Sequence, residues 1–216
     1  MTRKFVASYS GGKDSVLAIH RALQHGLEPV ALITTYNTDK GRSWFHGIPD
    51  TVLEQVSDSL GIPVWLIRTD GQHYARHFEQ ALTVAKEQGA EICIFGDIDI
   101  EEHRTWCRER CQAVGLEAMF PLWGQNRVDL VHAVIDEGFT ATLTVVDTKR
   151  LTRAVLGRPL NAETLAVIVG CGADACGENG EYHTFVSDGP VFKHPIPVRF
   201  GNTIDENGYA ILTMSA

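Results

Sequence analysis

Residues 10–15 read Ser-Gly-Gly-Lys-Asp-Ser, between the apolar run 5–9 and the helix-patterned stretch 15–23. No other segment constrains the fold as tightly. A buried strand must run into a glycine loop and leave it as a helix, the opening of a βαβ unit. At such a junction the unpaired N–H groups and the dipole of the helix N-terminus favour an anion. Gly11 and Gly12 let the backbone approach phosphate oxygens closely. Lys13 adds a mobile positive charge, Ser10 and Ser15 add hydroxyl donors, and Asp14 can hold a hydrated magnesium ion.

This is not a Walker A loop, which requires Ser or Thr directly after the lysine; here Asp14 follows Lys13. The hexapeptide instead resembles the PP-loop of the N-type ATP pyrophosphatases. That resemblance implies ATP held by its β,γ-phosphates and cleaved between the α- and β-phosphates.

Bulk properties narrow the class. The 216 residues can form one large domain or two small ones, and 44% hydrophobic with 21% charged residues is ordinary for a soluble globular chain. Nineteen basic against 27 acidic residues give a net charge of −8, and no basic run exceeds two residues. This argues against a nucleic-acid partner, because phosphate contacts need clustered Lys and Arg. No stretch approaches the ~18 apolar residues of a membrane span, and no signal peptide is evident. Five cysteines, an odd number in a chain too long for a disulfide scaffold, read as reduced thiols. The expected location is cytoplasmic.

Strand-like and helix-like patterns alternate over the first 120 or so residues. Strands are expected at 4–9, 29–35, 64–68 and 91–95, and helices at 15–25, 51–60, 72–88 and 101–114. Several of these helices end at glycine. A polar loop, 39–47, carries Trp44 and Phe45. The alternation predicts an α/β fold with a parallel sheet and right-handed crossovers. After residue 127 the pattern changes: helices at 129–137 and 162–167, a β-branched strand at 140–146, then short strands at 183–186, 191–192, 197–200 and 209–213. Asp188-Gly189 and Asn207-Gly208 supply the expected hairpin turns. The predicted division is a nucleotide-binding domain over 1–124 and a smaller α+β domain over 125–216. Ligands of open parallel sheets bind beyond the carboxyl ends of the strands. Residues 10–15, 34–36 and 96–98 are therefore expected to converge on one crevice, with the adenine against main chain near Thr34, Thr35 and Tyr36, and Gly96 beside the nucleotide.

A second motif lies far along the chain: residues 177–186 read Gly-Glu-Asn-Gly-Glu-Tyr-His-Thr-Phe-Val. Two carboxylates, an amide, a histidine and a hydroxyl crowd seven residues, a density that suggests a site on a loop; a hairpin with one polar face is the plainer alternative.

Taken together, the two motifs resemble the diphthine–ammonia ligase family, a branch of the PP-loop ATP pyrophosphatases. Gly96-Asp97-Ile98, Arg104-x-Trp106 with Cys111, and Gly115-Leu116 followed by Pro121-Leu122-Trp123 match as well. The resemblance spans nearly the whole chain. It implies a HUP-type (Rossmann-like) sheet sandwiched by helices, with a C-terminal domain facing it across an ATP cleft. The implied reaction joins ammonia to a carboxylate while ATP becomes AMP and pyrophosphate, with Mg2+ on the phosphates. On that reading Ser10, Gly11, Gly12, Lys13, Asp14, Ser15, Thr34, Thr35 and Gly96 bind the nucleotide, and Asp14 also binds metal. Lys13, Asp97, Arg104, Glu178 and Glu181 are the catalytic candidates, with Arg104 orienting a carboxylate or phosphate. Asn179, Tyr182, His183 and Thr184 face the acceptor, whether a small molecule or a modified protein side chain; a homodimer is left open. Two departures stand out. The eukaryotic pattern carries Glu where this chain has His183, and eukaryotic members continue into further domains. A neutral or cationic His in place of Glu implies an acceptor other than trimethylammonium-bearing diphthine, and a more anionic one.

Rival readings rest on less. Gly170-Cys-Gly-Ala-Asp-Ala175 after the apolar run 165–169 fits a dinucleotide fingerprint, but the next residues, Cys-Gly-Glu-Asn-Gly, cannot open a helix. Cys107 and Cys111 share a helix face and could join Cys171 and Cys176 in a zinc site, though no C-x-x-C pair is present. Sulfur transfer to tRNA would need reactive cysteines and a basic surface. A non-enzymatic ATP sensor would need the phosphate site but no acceptor loop.

Overall fold

The computed structural model describes residues 2–44, 46–69 and 71–216; Phe45 of the expected polar loop lies outside the described residues. Five parallel strands form the first sheet: β1 (Lys4–Ser8), β2 (Glu28–Asn37), β4 (Val64–Thr69), β5 (Ile92–Ile94) and β6 (Glu117–Met119). Their order is β4-β2-β1-β5-β6, and the two-residue β3 (Arg42–Ser43) pairs antiparallel with the end of β2.

Successive side chains of β1 point to opposite faces, and both faces are buried. Phe5 and Ala7 pack with Val16 and Leu17 of α1 (Lys13–Gln24) and with Val52 and Leu53 of α2 (Asp50–Leu60). Val6 packs on the other side with Phe78 and Leu82 of α3 (Tyr74–Glu87) and with Cys107 and Cys111 of α4 (Glu101–Val114). The continuous apolar run of β1 is thus what a central strand between two helix layers requires.

The second half builds an antiparallel sheet from β7 (Thr140–Asp147), β8 (Tyr182–Asp188), β9 (Arg199–Glu206) and β10 (Tyr209–Ser215), in the order β8-β7-β10-β9. Helices α5 (Arg127–Asp136) and α6 (Ala162–Gly170) pack with it. Asn207 and Gly208, at φ 54° and 87°, make the two-residue turn between β9 and β10. Asp188-Gly189 does not make a hairpin. β8 pairs with β7, and the chain beyond it turns at Phe192, whose N–H donates to Gly189 O at 3.0 Å. Residues 191–192 are therefore a turn, and the strand expected at 197–200 begins only at Arg199. The fingerprint reading of 170–175 also fails, because the apolar run before it is helix α6 and not a strand. The molecule is α/β with a mostly parallel sheet flanked by helices and a separate antiparallel sheet.

The two sheets meet over the glycine loop. Val186 N–H of β8 donates to Gly11 O at 2.9 Å, and one apolar cluster runs from Leu17 and Ile19 of α1 to Val131, Phe185 and Met214.

Candidate active site

Gly12 caps α1 without a side chain, so the first-turn amides lack the usual partner. The amide of Lys13 donates to Thr184 Oγ1 of β8 at 3.0 Å. The loop also ties itself: Gly12 N–H donates to Ser10 Oγ (3.2 Å), Ser10 Oγ–H to Ser15 Oγ (3.1 Å), and Ser15 Oγ–H to Gly12 O (2.9 Å). Gly11 has φ 82°, and a Cβ on Gly12 would stand 2.4 Å from His46 Cε1. A Cβ on Gly96 would meet Asp14 C and Ser15 N, both at 2.8 Å. Backbone cannot yield there as a side chain can. Gly96→Ala is therefore expected to cost about 1–3 kcal/mol and to displace the loop. Thermal unfolding with ATP titration checks this; a variant with unchanged melting and affinity would refute it.

Lys13 is 4% exposed. Its Nζ donates to Asp14 Oδ2 at 2.7 Å and to Cys176 O at 2.5 Å, and lies 5.2 Å from the Tyr182 ring centroid. Burial works against the ammonium, but Asp14 and the other groups around it together outweigh that effect and hold Lys13 charged.

A cavity of about 780 Å³ opens beside this loop. Ser10, Lys13, Asp14, Ser15, Gly96 and Asp97 form its glycine-loop side; Glu178, Tyr182, His183 and Thr184 form the opposing side. Tyr74, Phe78, Phe95 and Trp106 give it an aromatic wall. A smaller recess of about 60 Å³, lined by Ser10, Thr34, Thr35, Trp44, His46 and Tyr74, lies past the end of β1 and beside β2. Thr34 Oγ1–H donates to Tyr9 O at 2.9 Å.

Burial and the nearby Asp14 carboxylate push Glu178 up to about 7, against the pull of Lys13 and Arg127. His183 is pushed down to about 3 by burial, then by His46 and Lys13; burial holds His46 down to about 4. The two rings lie 4.8 Å apart, and His46 Nδ1–H donates to Thr184 O at 2.8 Å. Both imidazoles are neutral, so His183 brings no positive charge. Burial raises Asp97 above the usual carboxylate range.

Several sequence candidates stand elsewhere. Glu181 does not line the cavity. It is 4% exposed and accepts from Asn179 N–H and Nδ2–H, both at 3.1 Å, so it braces the 174–181 loop. Asn179 is spent on that brace. Arg104 also lies off the cavity, with its guanidinium 4.2 Å from the Trp123 ring centroid. Tyr36 is buried under Arg68. Sequence reasoning gave no site role to His46, the aromatic wall or Arg127; Trp106 carries a local signal in Arg104-x-Trp106, and His46 one in Trp44-Phe45-His46-Gly47.

Among the described residues no three His, Cys, Asp or Glu side chains converge as a metal-binding group. Cys171 is exposed, whereas Cys176 is buried with its thiol pushed up to about 12, chiefly by burial. Replacing both with Ser or Ala is expected to leave turnover within severalfold. Stoichiometric zinc in the wild type, or lost turnover in a folded double variant, would refute this.

Among protein families, the diphthamide synthase N-terminal domain matches residues 3–118 and the diphthamide synthase C-terminal domain residues 126–212. The diphthine–ammonia ligase of Schizosaccharomyces pombe is 26% identical over 216 residues, covering 89% of this chain and 36% of the relative. The Rattus norvegicus enzyme of the same name is 24% identical, covering 90% and 82%. The chain thus spans little more than a third of the yeast relative but most of the rat one. Among solved structures, a predicted subunit of tRNA methyltransferase from Methanocaldococcus jannaschii aligns at 18% identity and TM-score 0.46, over 89% of this chain and all of that one. Among the described residues, no helix is long and apolar enough to cross a membrane. The two family matches cover nearly the whole chain, and the chain belongs to the diphthamide synthase family.

Proposed function

We propose that this chain is an ATP-dependent carbon–nitrogen ligase that forms an amide from a carboxylate and ammonia, releasing AMP and pyrophosphate. One observation carries the reading: in a member of this family, the glycine loop with Lys13 and the carboxyl of Glu178 face a single cavity large enough for ATP and an acceptor.

The acceptor carboxylate attacks the α-phosphorus and pyrophosphate leaves. Lys13 and the amides at the start of α1 hold the β,γ-phosphates and stabilise the charge that gathers on the leaving group. Ammonia then attacks the acyl carbon and AMP leaves. Glu178, as carboxylate, takes a proton from the attacking nitrogen. Asp97 and Gly96 lie beside the loop at the end of β5, where the α-phosphate and ribose would lie. His183 and Thr184 shape the acceptor side without adding charge.

Magnesium fits at Asp14. Its Oδ1 is buried without a partner while Oδ2 is held by Lys13. One carboxylate oxygen completed by phosphate oxygens and water suits this ion, which seldom takes an all-protein cage. There it would offset the charge of the departing pyrophosphate.

A panel of carboxylates screened for substrate-dependent exchange of labelled pyrophosphate into ATP tests the reading, with ammonia-dependent amide formation measured beside it. Exchange with at least one carboxylate is expected. ATP binding with no exchange across the panel, and no AMP when diphthine on elongation factor 2 is supplied, would leave an ATP-binding sensor as the better description.

A further inference from the structure

We infer that Arg127, outside the cavity, is the positioning residue that fixes the Glu178 loop over the nucleotide side and thereby couples ATP cleavage to amide formation. The inference rests on the proposed ligase reading.

Arg127 opens α5, where the chain crosses from the first sheet to the second. Its guanidinium grips the β5–α4 loop through Asp99, with Nε at 2.8 Å and Nη2 at 2.6 Å, a bidentate pair. Its Nη1 donates to Asp174 Oδ2 at 2.8 Å. The same Oδ2 accepts the amide of Glu178 at 2.7 Å. One planar cation thus links the segment after Gly96 and Asp97 to the backbone of Glu178. The Arg127 carbonyl also accepts from Cys176 Sγ–H at 3.1 Å, a weak bond beside those of the guanidinium.

Among the described residues, two other cations reach this loop. Arg150 donates to Asn179 O at 3.0 Å, but it follows β7 and ties the loop only to its own sheet. Lys13 Nζ donates to Cys176 O from the phosphate loop, and a polyphosphate would compete for its ammonium. Arg127 does not line the cavity, so its bonds survive when the cavity fills. Arg127 is what keeps Glu178 in place over the first sheet while Lys13 is engaged elsewhere. A lysine could not substitute, because a point charge cannot hold two carboxylates in a fixed fork.

The test compares wild type, Arg127→Met, Arg127→Lys and Asp99→Asn at saturating ATP, carboxylate and ammonium, reading the ratio of amide to AMP. Arg127→Met is expected to lower that ratio by about tenfold or more, water replacing ammonia at the acyl carbon and returning the free carboxylate with AMP, while AMP release and ATP affinity stay within about threefold. Arg127→Lys should recover a minor part, and Asp99→Asn should move the ratio the same way by less. A structural role alone would reduce AMP and amide in parallel and leave the ratio unchanged, which would overturn the inference. Amide hydrogen exchange by wild type and Arg127→Met supplies a second readout that needs no turnover. Residues 174–181 should exchange faster in the variant while residues 10–15 do not; equal protection of 174–181 would overturn the inference even if the variant is less stable. If the wild type makes no AMP from any carboxylate, the ligase reading fails, and the exchange result alone decides whether Arg127 fixes the loop.

Discussion

Lys13→Ala is expected to slow AMP and pyrophosphate release by about 10²–10³-fold, the usual loss on removing one preorganised charge donor from a developing anion. Lys13 is buried, and its ammonium lies between Asp14 Oδ2 and Cys176 O. Removal strands both partners, so the variant should also lose about 1–3 kcal/mol of stability. Melting must be followed beside turnover, and rates compared at temperatures where the variant is folded. Lys13→Arg should not rescue, since a planar fork cannot place one donor between Asp14 Oδ2 and Cys176 O as the ammonium does at 2.7 and 2.5 Å. Phosphorus NMR identifies the products. ADP and orthophosphate in place of AMP and pyrophosphate would sink the assignment, as would a folded Lys13→Ala enzyme with wild-type rates.

What the sequence made legible was local, or was repeated by the resemblance. The strand–loop–helix at 4–24 could be read because period, glycines and lysine agree within one segment, and the end of α4 at 114 was marked by its closing Gly115. β3 and β6 were not legible: two and three residues carry no period, and Glu117 is polar. Asp188-Gly189 looked like a hairpin because the turn chemistry fits, but the chain turns again at Phe192 and returns to β8 only at Ile196, whose N–H donates to Ser187 O at 2.8 Å. The acidic loop shows the same limit. Glu178 and Glu181 are three residues apart and alike on paper, yet one faces the cavity and the other is spent on Asn179 and its neighbours' amides. Composition cannot say which carboxylate the backbone will consume. Arg127 was invisible for a related reason: its partners Asp99 and Asp174 lie 28 and 47 residues away, brought together only by the packing of the two sheets.

Glu178→Gln is expected to cut amide formation by about 10²–10⁴-fold while leaving carboxylate-dependent pyrophosphate exchange within roughly severalfold. The amide side chain keeps the shape and cannot accept a proton. In the wild type, burial and Asp14 push this carboxyl up to about 7. Only its ionised form can take a proton from nitrogen, so at constant free ammonia amide formation should rise with pH through about 7 and level off above it. The Gln variant should lack that limb. Stability moves the opposite way. The unfolded chain releases this proton near the ordinary value of 4.5, whereas the native one keeps it to about 7. The native state therefore loses stability as pH climbs between those values, and the loss is complete above them. Glu178→Gln removes this penalty and should be the more stable protein at pH 8, by up to about 3 kcal/mol, with little difference at pH 4. Denaturant unfolding at the two pH values and a pH profile of amide yield read both effects. A Gln variant that keeps the wild-type amide rate with the same pH limb would remove Glu178 from the proton transfer, and a variant less stable at pH 8 than wild type would show that the carboxylate there is paired and not strained.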